Sequence, residues 1–208
     1  MTEIFPTFIE PCIPTRAKAL PKGPGWLHEP KLDGWRIQIV KVDNHIALYT
    51  RGGYDIAHRL PHLVRDLQTI HLRFCIVDGE LVADDGDRMG NALTLQGALA
   101  AGCEDQVAVI AFDLLHIEGE DLREMPLINR KTCLEGFVSR AALPCLSCVP
   151  WFEDGGLLLE TMERLGLEGV VSKRYDAPYR SGRRKEWVKV KCQSWLEANR
   201  ERWRVLSR

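Results

Sequence analysis

The chain has 208 residues, a net charge of −1, and 45% hydrophobic against 27% charged residues. That balance belongs to a globular chain able to bury a sizeable core, and excludes a collagenous, coiled-coil or mainly disordered one. No apolar run approaches the roughly 20 residues of a membrane-spanning helix, and the N-terminus lacks the basic-then-apolar pattern of a secretory signal. The expected location is therefore the cytoplasm, with no membrane partner.

The first 24 residues carry Pro6, Pro11, Pro14, Pro21 and Pro24, so residues 1–25 read as an extended lead-in rather than a helix. Residues 35–41 alternate Trp, Ile, Ile and Val with Arg, Gln and Lys, the period of a half-buried strand. Residues 45–50 form a second strand, and Asp43-Asn44 makes the pair a hairpin. Leu60, Leu63, Val64 and Leu67 place a helix over 56–70. A strand over 74–83, a turn over 84–87 and a short helix over 92–101 follow. The β-branched apolar run 107–115 predicts a buried strand, and 127–139 and 157–165 predict helices. Strands are expected over 168–173 and 186–191. A last helix is expected over 194–205, with Ser194 as cap and Glu197 at the capping-box position. Strands and helices mixed without regular βαβ alternation point to an α+β fold with antiparallel sheets.

Charge is unevenly spread. Residues 173–208 carry +8 and the preceding 172 carry −9, which suggests a polyanion site built largely from the C-terminal end. Seven cysteines are scattered along the chain. Cys145 and Cys148 have CxxC spacing, but no second pair or histidine pair follows to complete a zinc site, so reduced thiols are expected. His58 and His62 lie four apart with Arg59 between them, where a zinc-hydrolase helix would need Glu. They read as surface histidines.

Five segments carry chemistry. Glu29-Pro30-Lys31-Leu32-Asp33-Gly34-Trp35-Arg36 sets a lysine at a turn entering a strand. A nucleophilic lysine must lose its proton, which burial or a neighbouring cation assists, and Arg36 is close enough in sequence to be that cation. Taken alone the segment is an ordinary Asp-Gly hairpin. Val77-Asp78-Gly79-Glu80-Leu81 brings a carboxylate out of an apolar strand, able to accept a ribose hydroxyl or bind a hard cation. Phe112, at the end of the run 107–115, can stack on a base. Leu167-Glu168-Gly169-Val170-Val171-Ser172-Lys173 opens another strand with an acid that could share a metal with Glu80. In Trp187-Val188-Lys189-Val190-Lys191 the two lysines fall on one face of a strand and suit phosphate.

In that order the segments resemble the covalent nucleotidyltransferase superfamily of ATP-dependent DNA ligases, RNA ligases and mRNA capping enzymes. They are most similar to the adenylation domain of bacterial end-joining ligases. The resemblance runs over about residues 26–191. It implies the ligase and capping-enzyme fold, ATP-grasp-like, with two antiparallel sheets flanked by helices, a nucleotidyltransferase domain over 26–193 and a C-terminal helix over 194–208. It implies ATP as co-substrate, Mg²⁺, and nicked or broken double-stranded DNA as partner in repair. Lys31 matches the nucleophile that forms lysyl-AMP, Glu29 the adenine contact, and Arg36 and Arg51 arginines that contact the nucleotide. Gly52 stands where the family usually has Asn after that second arginine. Glu80 matches the ribose contact and, with Glu168, the metal-associated acids. Phe112 matches the stacking aromatic, and Arg183, Lys189 and Lys191 the basic contacts to nucleotide. Asp33 shapes the turn.

Such enzymes continue into an OB-fold domain, whereas this chain ends 17 residues past Lys191, enough for one helix. The expectation is an adenylation domain without an OB-fold, sealing nicks poorly by itself; one explanation is a minimal protein working with a separate OB-fold or end-joining partner. A fragment of a longer protein and a degenerate relative are the alternatives. Rival functions are an RNA ligase or capping-type nucleotidyltransferase, and a non-catalytic nucleotide- or DNA-end-binding module.

Overall fold

The computed structural model describes residues 8–83, 92–103 and 105–200. The expected turn over 84–87, and the expected last helix beyond residue 200, lie outside them. Among the described residues two sheets face each other. One has the order β1(Cys12–Arg16), β10(Gly182–Lys191), β9(Gly169–Arg174), β2(Trp26–Pro30). The other has the order β4(His45–Thr50), β3(Trp35–Val42), β5(Phe74–Ala83), β6(Val107–Ile117), β7(Glu120–Asp121), with β8(Leu146–Cys148) also paired to β6. Pairing is antiparallel except for β1 with β10 and β8 with β6.

Period-two alternation makes the layers. On the larger sheet Ile37, Ile39, Leu48, Cys75, Val77, Leu81 and Val109 turn outward beneath α1(Pro61–Gln68), α2(Ala92–Ala100) and α3(Leu127–Ala141). Val40, Ile76, Val82, Ile110 and Phe112 turn inward and meet Cys12 and Trp187 from the other sheet and Tyr179 from the connection between β9 and β10. The smaller sheet covers its outer face with α4(Gly155–Arg164) and α5(Gln193–Ala198), through Leu158, Met162, Val170 and Trp195. The α+β class and the two helix-flanked sheets are as the sequence predicts.

Four local expectations change. The proline-rich opening is extended, but residues 12–16 are strand β1 inside a sheet, paired in parallel with β10. Residues 26–30 are a strand too, ending at Pro30. The helix expected over 56–70 is shorter: residues 57–59 form a 3-10 turn, and Pro61 starts α1 at the first helical position, where its missing N–H is not needed. Ser194 is not the cap of the last helix. Cys192 holds that position without a side-chain cap. The carboxylate of Glu163, in the last turn of α4, accepts the N–H groups of Gln193 and Ser194 at 2.8 and 2.7 Å. A charged acceptor from another helix satisfies the orphan donors that a local cap would have served. His58 and His62 are exposed, as predicted.

Candidate functional site

A cavity of about 300 Å³ opens between the sheets. Its walls are alternate residues of the strands: Arg36 on β3, Glu80 on β5, Phe112 on β6, Val171 and Lys173 on β9, Trp187 and Lys189 on β10. Glu29 from β2, Lys31 from the turn after it, and the exposed Arg51 complete the polar lining.

Lys31 is fixed at both backbone and side chain. Its N–H donates to the Gly169 carbonyl at 2.8 Å, and its Nζ pairs with Glu168 Oε2 at 2.6 Å. The second oxygen of Glu168 takes Lys191 Nζ at 2.7 Å. One buried carboxylate thus bridges two lysines from different segments. Gly169 makes this possible: it sits at φ +145°, and a Cβ there would lie 2.1 Å from the Val190 carbonyl. Only glycine lets β9 approach β10 so closely beside Glu168. Lys189, two residues before Lys191 on the same face, has its pKa lowered by burial and then by the positive charges of Lys31 and Lys191. Lys189 and Lys191 are thus the cations gathered beside Lys31. Arg36, expected in that role, is paired with Asp78 while still lining the cavity.

Glu80 accepts the Gly34 N–H at 3.2 Å. Burial pushes its carboxyl up to about 7, against the pull of Lys31 and Arg36. Gly34 is again a close approach, since a Cβ there would lie 2.2 Å from the Leu81 carbonyl. Arg36 holds Asp78 through two hydrogen bonds of 2.9 and 2.5 Å and donates to the Cys12 carbonyl at 2.7 Å. The Tyr179 hydroxyl donates to Asp78 at 2.7 Å and accepts the Cys12 N–H at 3.0 Å.

The aromatic end of the cavity is built differently. Phe112 and Trp187 meet edge to face, with centroids 6.2 Å apart. Lys173 Nζ lies 4.4 and 4.0 Å from their ring centres, and the Arg36 guanidinium lies 5.0 Å over Phe112. Lys173 also pairs with Glu29 Oε2 at 2.6 Å, while Lys131 of α3 pairs with Glu29 Oε1. Burial lowers Lys173 to about 8, opposed by Glu29.

Of the residues singled out from sequence, Glu29, Lys31, Arg36, Arg51, Glu80, Phe112 and Lys189 line the cavity, and Glu168 and Lys191 are joined to Lys31. Arg183 is not brought in: it is exposed on the first half of β10, beside Ile13. Sequence reasoning missed Asp78, Lys131, Lys173, Tyr179 and Trp187 as parts of the site. Two could have been found by alternation, because Asp78 shares a strand face with Glu80 and Lys173 shares one with Val171. All seven cysteines are free, and Cys148 stands in β8 opposite Ala111.

A family model described as ATP dependent DNA ligase domain matches residues 10–191. The multifunctional non-homologous end joining protein LigD of Pseudomonas aeruginosa is 38% identical over 190 residues, covering 91% of this chain and 22% of its own length. The crystal structure of the ligase domain from M. tuberculosis LigD superposes with a TM-score of 0.73 at 27% identity, covering 86% of this chain and 60% of that one. A mycobacterial DNA ligase D complexed with ATP and MES gives 0.66 at 26% identity over the same shares. The chain thus spans about a fifth of the curated relative and three fifths of these solved domains.

Proposed function

We propose, since the chain belongs to the family of ATP-dependent DNA ligase domains, that it is the adenylation domain of a DNA ligase, taking AMP from ATP onto Lys31 for strand joining in repair. The observation that carries this reading is the Glu168 bridge, which sets one lysine at the turn 31–34 beside a cluster of cations inside a nucleotide-sized cavity. The aromatic end suits the base, and the end with Lys31, Lys189 and Lys191 suits the phosphates.

In the reaction Lys31 Nζ forms a bond to the α-phosphorus while the bond to the bridging oxygen breaks and pyrophosphate leaves. The ammonium must first give up a proton, and Glu168 Oε2, 2.6 Å from Nζ, is the acceptor in place to take it. Lys189 and Lys191 neutralise charge building on the phosphate oxygens, the main contribution a protein makes to such transfers. Arg36, held by Asp78 and Tyr179, is presented to the nucleotide in one orientation. Glu80 faces the cavity beside Lys31, placed for the ribose.

Mg²⁺ is typically bound by one or two carboxylates, with substrate phosphates and water completing the shell. Glu80, which lines the cavity, and Glu168, once one oxygen is released from Lys31 or Lys191, are the carboxylates that would supply that donor set. Mg²⁺ held there would neutralise phosphate charge. Among the described residues no group of three acids, histidines or cysteines could hold a metal by itself.

The exposed run 183–186 of β10 is the surface we assign to the DNA backbone, and affinity there should fall steeply with salt. Free thiols throughout suit a reducing cytoplasm. Among the described residues no helix is long and apolar enough to cross a membrane.

Label transfer from α-labelled ATP, with Mg²⁺ and without DNA, tests the reading. Acid-labile label is expected on the wild type and not on Lys31→Ala. Equal labelling of Lys31→Ala would move the nucleophile elsewhere and defeat it.

A further inference from the structure

The cluster of Glu29, Lys131 and Lys173 poses an energetic question. All three are at most 3% exposed. Burying charge is costly, and a buried pair breaks even only when its geometry and hydrogen bonds are good. Glu29 with Lys173 alone would be neutral. Lys131 adds a second buried ammonium and leaves a surplus of one positive charge. Lys131 does not line the cavity, whereas Glu29 and Lys173 do, so its direct effect falls on the Glu29 carboxylate. Its neighbour Arg130 shows the contrast: that guanidinium is matched one to one by Asp113, at 2.8 Å through two bonds.

Glu29 presents its carboxylate between two ammonium groups, one at each oxygen. An ionised carboxylate can only accept hydrogen bonds. Lys173 holds one oxygen at 2.6 Å and Lys131 makes an ion pair, without hydrogen-bond geometry, with the other, so the carboxylate has little room to rotate.

We propose that Lys131 is a positioning residue for base selection, holding Glu29 together with Lys173 as a fixed, acceptor-only group at the aromatic end of the cavity. A base that offers an amino group there satisfies Glu29. A base that offers a carbonyl oxygen brings two acceptors together and leaves both unpaired, which is how sites reject near-isosteres. The inference rests on the nucleotide reading above and adds a residue of α3 that lies outside the five ordered segments.

The test measures lysyl-nucleotide formation from α-labelled ATP and GTP over a concentration range, for the full chain and for Lys131→Met, Lys131→Gln and Lys131→Arg. The expected result for Lys131→Met is a fall of about tenfold or more in the ATP-to-GTP ratio of kcat/KM, carried by a higher KM for ATP. The kcat at saturating ATP should stay within about threefold. Lys131→Arg should recover the ratio, because it restores the charge. Lys131→Gln keeps a donor without charge and serves the same comparison should the Met variant not fold. An unchanged ratio in a folded neutral variant, or a loss confined to kcat, would overturn the inference while leaving the ligase reading intact. A folded, AMP-free wild type that takes label from neither nucleotide would instead overturn the ligase reading, and the inference with it.

Discussion

Asp78 is the sharpest place to test how the site is held. It is fully buried and carries the Arg36 guanidinium on two bonds and the Tyr179 hydroxyl on a third. Asp78→Asn keeps the shape but removes the charge, and its amide nitrogen then faces a donor. Removing one partner of a buried ion pair costs about 3–5 kcal/mol. Arg36 retains 13% side-chain exposure toward the cavity, so water shares the load and the lower end, about 3 kcal/mol, applies. For a chain of this size each kcal/mol lowers Tm by roughly 2–4 °C, giving a fall of about 6–12 °C. Tyr179→Phe should cost less, about 1–3 kcal/mol, because it leaves the Cys12 N–H without its acceptor. The two substitutions touch one network, so the double variant should depart from additivity by about 0.5–3 kcal/mol. Thermal melts followed by circular dichroism, with self-adenylation measured on the same samples, read out both effects. A Tm for Asp78→Asn within about 2 °C of wild type, or strict additivity with Tyr179→Phe, would refute the reasoning.

Three further outcomes are expected. Gly169→Ala should fold poorly or melt at least about 2 kcal/mol lower, the scale of overpacking against an element that cannot yield, because its Cβ meets the Val190 carbonyl at 2.1 Å; urea unfolding measures it. Lys31→Ala should abolish labelling yet cost less stability than Asp78→Asn, since Glu168 keeps Lys191 at 2.7 Å and solvent reaches the vacated space. A chemical denaturation series makes that comparison. Burial lowers Lys173 in the fold from its ordinary 10.5 to about 8, so between those pH values the unfolded chain binds the extra proton. The cost of burying it, about 3 kcal/mol, is present in full below pH 8 and is relieved as pH rises to 10.5. The stability difference between wild type and Lys173→Met should therefore shift in favour of wild type across that window. A difference flat with pH would show that Lys173 keeps its ordinary pKa.

What was legible in the sequence was local. The hairpin of β3 and β4, the strands β5 and β6, and α3 each announce themselves through a period of two or 3.6 within one segment. β1 and β2 do not, because their partners are distant: Cys12 stands opposite Gly182, and Glu29 opposite Val171. Pro11, Pro14 and Pro30 hide them further, since proline weakens any strand reading. The same distinction divides the site. Lys31, Glu80, Phe112, Glu168 and Lys189 stand in short segments whose residue order carries the chemistry. Lys131 and Tyr179 gain meaning only from carboxylates 102 and 101 positions away, on Glu29 and Asp78.

Those distant pairs explain why the cavity has two different ends. At the phosphate end one carboxylate, Glu168, is shared by two lysines that are 11–19% exposed. A polyanion can compete for them there, because the lysines can exchange one oxygen partner for another without entering a drier place. At the aromatic end Glu29 is held by lysines that are 2–3% exposed, and an entering ligand offers them no better partner. The first arrangement is built to be exchanged and the second to stay. A site that transfers a nucleotidyl group while reading one base, as proposed above, would need its loose charges at the reacting atoms and its fixed charge at the base, and the burial of these two clusters would separate the tasks in that way.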